Sequence, residues 1–483
     1  MQLASLLASV LPYRDNQWPD IEVLGITADS RHVKSGYLFV ALDGTQDNGI
    51  QYVQEAQRRG AIAVITNMSA TLRIPVIVVE HPRLLLSQLA AKFYSPQPSL
   101  IVAVTGTNGK TSTVDFTRQI WMALGMQAAS IGTLGIISPS YQKTGSHTTP
   151  PAEDLHYYLM RLAQEKIQAV ALEASSHGLD QLRLDHIELA AGGFTNLTID
   201  HLDYHQSMEN YRQAKFRLFT HLLPPGSLAV INADVPEYLA LQEICKQRHL
   251  KLVDYGRRAR YLKITDIRQT TTGQLVTLDI QGQDKQKFLT SIAGEFQIYN
   301  ILCAVGMVLA KYPHLHKILE CISTLKPVHG RLESVGKNQY NSPVFVDYAH
   351  TPDALKRVLE TLRRVTKRRL VVVFGCGGDR DRTKRPIMGK IAHELADSVI
   401  VTDDNPRTEN AVEIRRQIIT ACPQALEIPD RAQAIQQAIQ HLQSGDVLLI
   451  AGKGHETGQI VGKEILPFDD CEVARKYLNP PTP

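Results

Sequence analysis
Residues 100–113, Leu-Ile-Val-Ala-Val-Thr-Gly-Thr-Asn-Gly-Lys-Thr-Ser-Thr, narrow what this chain can fold into more than any other stretch. Ile101 to Val104 are apolar and mostly β-branched, the composition of a strand buried on both faces of a parallel sheet. Gly106-Thr107-Asn108-Gly109 then turns the chain. Lys110-Thr111-Ser112 opens a helix whose apolar face includes Phe116, Ile120 and Leu124. A buried strand, a glycine-rich turn and a helix N-terminus make a cradle of backbone N–H groups for an anion, and the helix dipole adds positive potential. Lys110 supplies a point charge suited to the β- and γ-phosphates of a nucleotide, and Thr111 a hydroxyl able to ligate Mg²⁺. The general phosphate-loop pattern would place glycine at 104, where valine stands, so it is met in part. The plain alternative is a glycine-rich turn that binds nothing. It leaves a lysine and two hydroxyls at one helix start unexplained.

The chain has 483 residues, more than one hydrophobic core usually supports, so several domains are expected. A hydrophobic share of 43% and a charged share of 21% are those of an ordinary globular protein. A net charge of +4, with no basic run beyond Lys367-Arg368-Arg369, gives no footprint for nucleic acid. The six cysteines lack C-x-x-C spacing, which fits a reducing cytoplasmic setting better than a disulfide framework. Residues 1–11 lack the basic start and cleavage site of a signal peptide, and no apolar run approaches a membrane span. The expectation is a cytoplasmic α/β enzyme without membrane insertion.

Three units follow along the chain. Residues 1–97 read as short strands (21–27, 37–41, 61–65, 76–79) and helices, ending at the linker Ser95-Pro96-Gln97-Pro98-Ser99. Residues 98–325 hold the phosphate loop, then a strand ending in Glu173. Next comes a polar run, Asp200-His201-Leu202-Asp203-Tyr204-His205, with four potential ligands in six residues. The region 250–293 alternates like antiparallel β, and Asn300 is expected to open an apolar helix over 300–311. Residues 326–483 contain four buried strands. Each ends in a polar cluster: Asp347-Tyr348-Ala349-His350, Gly375 to Arg380, Asp403 to Arg407, and Gly452 to Glu456. Strands alternating with helices predict a doubly wound sheet with its ligand groups along one edge. A phosphate loop facing a second cluster of strand-end arginines and carboxylates suggests a two-substrate transferase or ligase.

The segments Gly106-Thr-Asn-Gly-Lys-Thr111, Glu173-Ala-Ser-Ser-His-Gly178, Thr195-Asn-Leu197 with Asp200 to His205, Asp347-Tyr-Ala-His-Thr-Pro352 and Gly452-Lys-Gly-His-Glu456 together resemble the Mur ligase family. They do so in order over essentially the whole chain. The resemblance implies an α/β fold of three domains: an N-terminal nucleotide-sugar domain (1–97), a central P-loop-type parallel-sheet domain for ATP (98–325) and a C-terminal Rossmann-like doubly wound domain for an amino acid (326–483). It is closest to the branch that joins meso-diaminopimelate to UDP-MurNAc-L-Ala-D-Glu in the cytoplasmic synthesis of peptidoglycan precursors, through an acyl phosphate. A folylpolyglutamate synthase shares the three-domain plan, and a nucleotide-binding regulator is the non-enzymatic alternative.

By that resemblance, Gly106, Thr107, Asn108, Gly109, Lys110, Thr111, Ser112, Asn300 and Arg331 would bind ATP. Thr111, Glu173 and His201 would hold Mg²⁺. Lys215 matches a lysine that the family carries as an N6-carboxylated side chain, a metal-binding carbamate; its plain alternative is a surface helical lysine. Lys110, Glu173, His201 and Lys215 would be the catalytic set. Ala28, Ser30, Thr45, Gln46, Asp47, His147, Thr148, Thr149, Ser175, Gln181 and Arg183 would bind UDP-MurNAc-L-Ala-D-Glu, His147 standing where many relatives have asparagine. Gln297, where the family often has asparagine, leaves its adenine-side role open. Arg380, Asp404, Asn405, Pro406, Arg407, Gly452 and Glu456 would bind diaminopimelate, Arg407 taking its second carboxylate through a planar two-pronged donor. The plain alternative for Arg407 is a turn arginine paired with Asp404 or Glu409. A monomer is expected.

Overall fold
A computed structural model describes residues 1–11, 18–44, 48–145, 147–270, 273–282 and 284–478. Among the described residues, three sheets carry the fold besides one two-stranded hairpin. The first has four parallel strands, Gly25–Thr27, Tyr37–Val40, Ala61–Thr66 and Val76–Val78. Its opening strand is shorter than the expected 21–27, because only Gly25 to Thr27 register against Tyr37 to Phe39.

The second sheet has 11 strands and places Leu100–Thr105 in its middle, between Leu189–Phe194 and Ala169–Glu173. All six residues of that strand are buried, as the continuous apolar run requires. Leu100, Val102 and Val104 pack into one core with the helices Lys110–Ala123 and Glu295–Leu309, while Ile101 and Ala103 face a second core with Leu155 and Leu159. Central position and double-sided packing make this strand a rigid mount for the loop that follows. The strands Leu262–Thr270, Gly273–Ile280 and Gln286–Thr290 form the antiparallel extension expected in 250–293. Lys251–Gly256, by contrast, pairs parallel to Leu228–Asn232.

The apolar helix starts at Glu295 rather than at Asn300. Gly294, at φ 95°, reverses the chain, and Glu295 places an acidic group in the first turn. Asn300 therefore sits in the helix's second turn, where its side chain meets the phosphate loop.

The third sheet runs Glu333–Lys337, Pro343–Asp347, Val447–Ala451, Leu370–Phe374, Ser398–Val401, Leu426–Glu427, parallel except for its first strand. Helices Pro352–Arg363, Lys384–Leu395 and Ala411–Ile419 cover one face, and Arg431–Gln440 and Asp470–Leu478 the other, the doubly wound arrangement expected. In both large sheets the loops that carry polar clusters leave the carboxyl ends of parallel strands, where α/β sheets open their ligand crevices. Among the described residues, no helix is long and apolar enough to cross a membrane.

Candidate active site
The phosphate loop is shaped by two glycines that no other residue could replace without displacement. At Gly106 (φ 143°) a Cβ would fall 1.9 Å from Thr195 Oγ1, and at Gly109 (φ 89°) it would fall 2.3 Å from Asn300 Oδ1. The loop is therefore packed on one side by the end of the neighbouring strand and on the other by the helix of Asn300. Thr195 Oγ1 donates to Asn108 O at 2.7 Å, and Asn196 Oδ1 accepts from Asn108 N at 2.9 Å. These contacts set the cradle before any ligand arrives.

Thr107 to Ser112, Glu173, Asp200, His201, Asn300 and Arg331 line one cavity with Asp347, Tyr348 and His350 of the third sheet. Arg331 Nη2 donates to Thr111 Oγ1 at 3.1 Å, and its guanidinium lies 4.3 Å over the Tyr348 ring. Asn108 Nδ2 reaches Asp353 Oδ2 at 3.2 Å. A second cavity continues from Asn108, Gly109, Phe296 and Asn300 towards Asn232, Asp234 and Tyr299. Asp234 is held there by Tyr299 Oη and by the N–H groups of Arg257 and Arg258.

Charge is distributed unevenly here. Lys110 Nζ donates to Gly106 O and Thr107 O, both at 2.9 Å, and Lys215 Nζ donates to the same Gly106 O at 2.8 Å. Lys215 is 1% exposed and its ammonium lies 4.4 Å over the Tyr211 ring, so it is not a surface lysine. Burial lowers both amines from the ordinary lysine range, Lys215 far below it, with the charge of Lys110 adding to the effect at Lys215. The Asp200 carboxyl stays below its usual range despite burial because His201, His350 and Lys110 face it. Desolvation lowers His201 to about 4, so its imidazole is neutral and able to act as a ligand at ordinary pH. Glu173 accepts from Thr133 N at 2.8 Å and from Thr133 Oγ1 at 3.1 Å. The Thr111 hydroxyl with the Glu173 and Asp200 carboxylates forms a hard oxygen donor set, which fits Mg²⁺.

A cavity of about 790 Å³ on the third sheet's edge is lined by Arg380, Asp404, Asn405, Arg407, Gly452 and Glu456, and it also touches Asp200, His201, Tyr348 and His350. Lys453, fully buried, ties this wall together: its ammonium donates to Asn405 Oδ1 (3.1 Å), Glu456 Oε2 (2.9 Å) and Gly458 O (2.7 Å). Arg407 adopts φ 51°, held by backbone bonds to Ile460 O and from Gly462 N, while Nη1 donates to Gly378 O at 2.8 Å. The plain alternative for this arginine fails. Glu409 is taken by Arg385 and Arg382, and Asp404 Oδ1 accepts from Asn405 N.

The expected nucleotide-sugar residues divide. Thr149, Ser175, Gln181 and Arg183 form one network: Thr149 Oγ1 accepts from Ser175 N, Arg183 Nη1 donates to Thr149 O, and Arg183 Nη2 donates to Gln181 Oε1. Thr148 meets Thr133 Oγ1 and lines the phosphate cavity. His147 lies near Arg183; burial first, and then that charge, lowers its ring's pKa. Ser30 Oγ donates to Glu55 Oε2 at 3.0 Å within the first unit, while Ala28 N donates at 2.9 Å to Glu153 Oε1 of the helix Ala152–Gln164, which packs on the central sheet. Thr45, Gln46 and Asp47 lie outside the described residues. Pro406 and Lys215 line neither the phosphate-loop cavity nor the cavity on the third sheet's edge; Lys215 sits directly beneath the loop.

Asp200, Asp347 and Tyr348 belong to the site by position but are absent from the expected binding sets, whereas His350 and Lys453 stand among the groups expected at the third unit's strand ends, without a ligand assigned. Their signal was present, since each lies in a polar run at a strand end. Asp234 and Tyr299 had only a strand end and a helix face to mark them. Asp347 is pushed up to about 6 by burial, opposed by Arg331, and its Oδ2 accepts from Leu332 N at 2.6 Å.

The chain is similar to known proteins along nearly its whole length. The Mur ligase family catalytic domain matches residues 22–94, the Mur ligase middle domain residues 104–308, and the Mur ligase glutamate ligase domain residues 330–454. A UDP-N-acetylmuramoyl-L-alanyl-D-glutamate–2,6-diaminopimelate ligase from Mesorhizobium japonicum is 48% identical over 475 residues, covering 98% of each chain. A protein of the same name from Chelativorans is 46% identical over 473 residues, again 98% of each. A solved structure of a ligase of that name superposes with a TM-score of 0.71 at 32% identity, covering 99% of each chain. The MurF ligase from Thermotoga maritima in complex with ADP shares the fold, with a TM-score of 0.64 at 18% identity over 91% of this chain and 96% of that one. With matches to three successive domains of one family and close relatives along nearly its full length, this chain belongs to the Mur ligase family.

Proposed function
We propose that this chain is an ATP-dependent amide ligase joining meso-diaminopimelate to UDP-N-acetylmuramoyl-L-alanyl-D-glutamate in peptidoglycan precursor synthesis. One observation carries the reading: the phosphate cavity and the amino-acid cavity meet at Asp200, His201, Tyr348 and His350. An acyl phosphate formed on one side of that boundary is presented to an amine held on the other.

The carboxylate of the nucleotide-sugar dipeptide attacks the γ-phosphorus of ATP, and ADP departs. The amine of diaminopimelate then attacks the acyl carbon, the C–O bond to phosphate breaks, and inorganic phosphate leaves with the amide formed. Lys110, Arg331 and the backbone N–H groups of residues 106–112 oppose the charge of the transferring phosphoryl group. Thr111, Glu173, Asp200 and His201 would hold Mg²⁺, which supplies further charge neutralisation of the phosphates when bound. Packing of Tyr348 and Arg331 over the loop keeps water from the acyl phosphate. Arg407 takes the distal carboxylate of diaminopimelate, Arg380 and Gly452 its other end, and Glu456 accepts from its ammonium group. Residues 1–97 hold the nucleotide sugar through Ala28, Ser30 and Thr45 to Asp47, together with Thr148, Thr149, Ser175, Gln181 and Arg183. Residues 98–325 carry ATP, and residues 326–483 the amino acid.

Lys215 acts as a carbamate. Its amine is buried, held by a carbonyl and depressed far below the ordinary lysine range, which favours the neutral form that attacks CO₂ over its balance in an exposed lysine. The neutral amine forms a nitrogen–carbon bond to CO₂ and loses one proton (two counted from the ammonium), which puts an anion able to take Mg²⁺ where a cation stood. Isotope-labelled bicarbonate should give a carbamate carbonyl signal by NMR in the wild type and none in Lys215→Arg. A signal surviving in that variant overturns the assignment.

The activity itself is tested with purified protein, ATP, the nucleotide-sugar dipeptide, and either diaminopimelate or lysine. Phosphate release should require all three substrates and favour diaminopimelate. Equal or faster turnover with lysine would sink the specificity assigned to Arg407.

A further inference from the structure
Outside both cavities, nitrogen, oxygen and sulfur donors from two separate segments converge. His329 lies in the connection before the strand Glu333–Lys337, while Asp469 and Cys471 lie at the start of the helix Asp470–Leu478. One donor atom of each falls within 4.8 Å of the other two. Glu333 Oε2 accepts from His329 Nδ1 at 2.8 Å, which turns Nε2 towards Asp469 Oδ2, 3.8 Å away. The other oxygen of Glu333 accepts from Arg475 Nη2 at 2.7 Å, so this carboxylate orients the imidazole and is itself engaged. Its Oε2 also accepts from Gly330 N at 2.9 Å, fixing the backbone beside His329. A carboxylate on the far nitrogen is the usual way a metal-binding histidine is held to one tautomer and one orientation.

We propose that His329, Asp469 and Cys471 form a three-ligand site for Zn²⁺, or a transition metal of the same ligand preference, with Glu333 as the positioning residue for His329. An imidazole, a carboxylate and a thiolate suit such a metal, whereas Mg²⁺ and Ca²⁺ call for oxygen alone. Cys471 is fully buried while the His329 side chain is 42% exposed, so a metal would enter from the imidazole side, displacing the thiol proton to solvent. Bound there, it would fasten the connection carrying Arg331, two residues beyond His329, to the last helix. The site is separate from the proposed Mg²⁺ position and does not depend on the ligase reading.

Co²⁺ is the probe, because a cobalt–thiolate bond gives a charge-transfer absorption. Titrating full-length protein, under reducing conditions, should develop that band at one equivalent, with Zn²⁺ abolishing it by displacement. Cys471→Ser should lose the band. His329→Asn, which leaves the thiol in place, should weaken cobalt binding at least tenfold, and Glu333→Gln should weaken it by about 10–100-fold. Near-ultraviolet circular dichroism of each variant reports whether it is folded, and His329→Asn decides the matter if Cys471→Ser is not. Absence of the band in the folded wild type overturns the proposal, leaving His329 as a structural link between Glu333 and Asp469. A band that persists in folded Cys471→Ser, or binding unchanged in His329→Asn, overturns it equally.

Discussion
The two halves of the site handle charge in opposite ways. Around the phosphate loop, Lys110 and Lys215 share the carbonyl of Gly106, and their hydrogen bonds run to backbone oxygens. On the edge of the third sheet, the buried Lys453 is matched by Glu456 and Asn405, and Arg385 by Glu409. Neither ammonium hydrogen-bonds a carboxylate, Asp200 and, at Lys110, Glu173 acting only through space, so part of the cost of burying two cations remains to be relieved when an anion arrives. The loop is thus built around a charge that its ligand brings. The third sheet's edge is internally neutralised, so its wall keeps its shape, and under the function proposed above Arg407 is left to read the substrate. Under that proposal one region supplies driving force and the other discriminates.

That contrast is breakable by substitution. Lys110→Ala should lower turnover on the order of 10³-fold by removing an electrostatic group aimed at the phosphoryl transfer. It should leave the melting temperature unchanged or raised, because the deleted charge is depressed by burial in the folded protein. A marked loss of stability by calorimetry would show the lysine to be structural. Arg407→Ala should raise the KM for diaminopimelate by roughly 10²-fold, the cost of losing a charge-assisted pair being about 2–5 kcal/mol. The KM for ATP should not move, and an unchanged KM for the amino acid would refute the division of labour drawn above.

A buried group with no assigned ligand sets the scale for burial alone. His156 is fully buried between Gln97 and Asp185 O, and desolvation lowers it to about 4. Its folded pKa lies below its unfolded one, so the unfolded chain binds the extra proton. The stability it contributes is present above the ordinary histidine range and is lost as pH falls towards 4. From about pH 7 to about pH 5 the loss should be roughly 2 kcal/mol from this residue. Chemical denaturation of His156→Gln should show a correspondingly flatter pH profile than the wild type, and identical profiles would dismiss the effect.

The smallest effect concerns the bridge between the halves. Asp353→Ala removes the contact of Asn108 Nδ2 across the cleft and should cost about 0.5–1.5 kcal/mol, seen as a severalfold rise in the KM for ATP with the melting temperature little changed. An unchanged KM for ATP would mean that Arg331 and the Arg364–Glu295 pair span the gap without it.

Much of this was readable from residue order. The run Ile101 to Val104 declared a doubly buried strand, and strand-end clusters at 347–350, 403–407 and 452–456 marked the active edge, because apolar runs and polar interruptions are local properties. The start of the helix Glu295–Leu309 was not read correctly, since Gly294 ends the preceding segment by a backbone conformation that composition does not specify. Asp200 stood in view among four candidate ligands, yet only its place between Lys110, His201 and His350 singles it out. Lys453 read as one polar residue in a cluster; its part in joining two loops depends on contacts up to 48 residues away.

By itself the sequence determined the energy source and the family: a glycine turn with Lys110 and Thr111 after a buried strand, followed by the family's motifs in order. Only the tertiary structure decided that Lys215 is buried against Gly106, that Arg407 pairs with neither Asp404 nor Glu409, and that two cavities share one wall. The reason is physical. Hydrogen-bonding capacity and hydrophobic pattern are carried residue by residue, whereas burial, charge balance and the meeting of two sheet edges arise only when distant segments exclude water together.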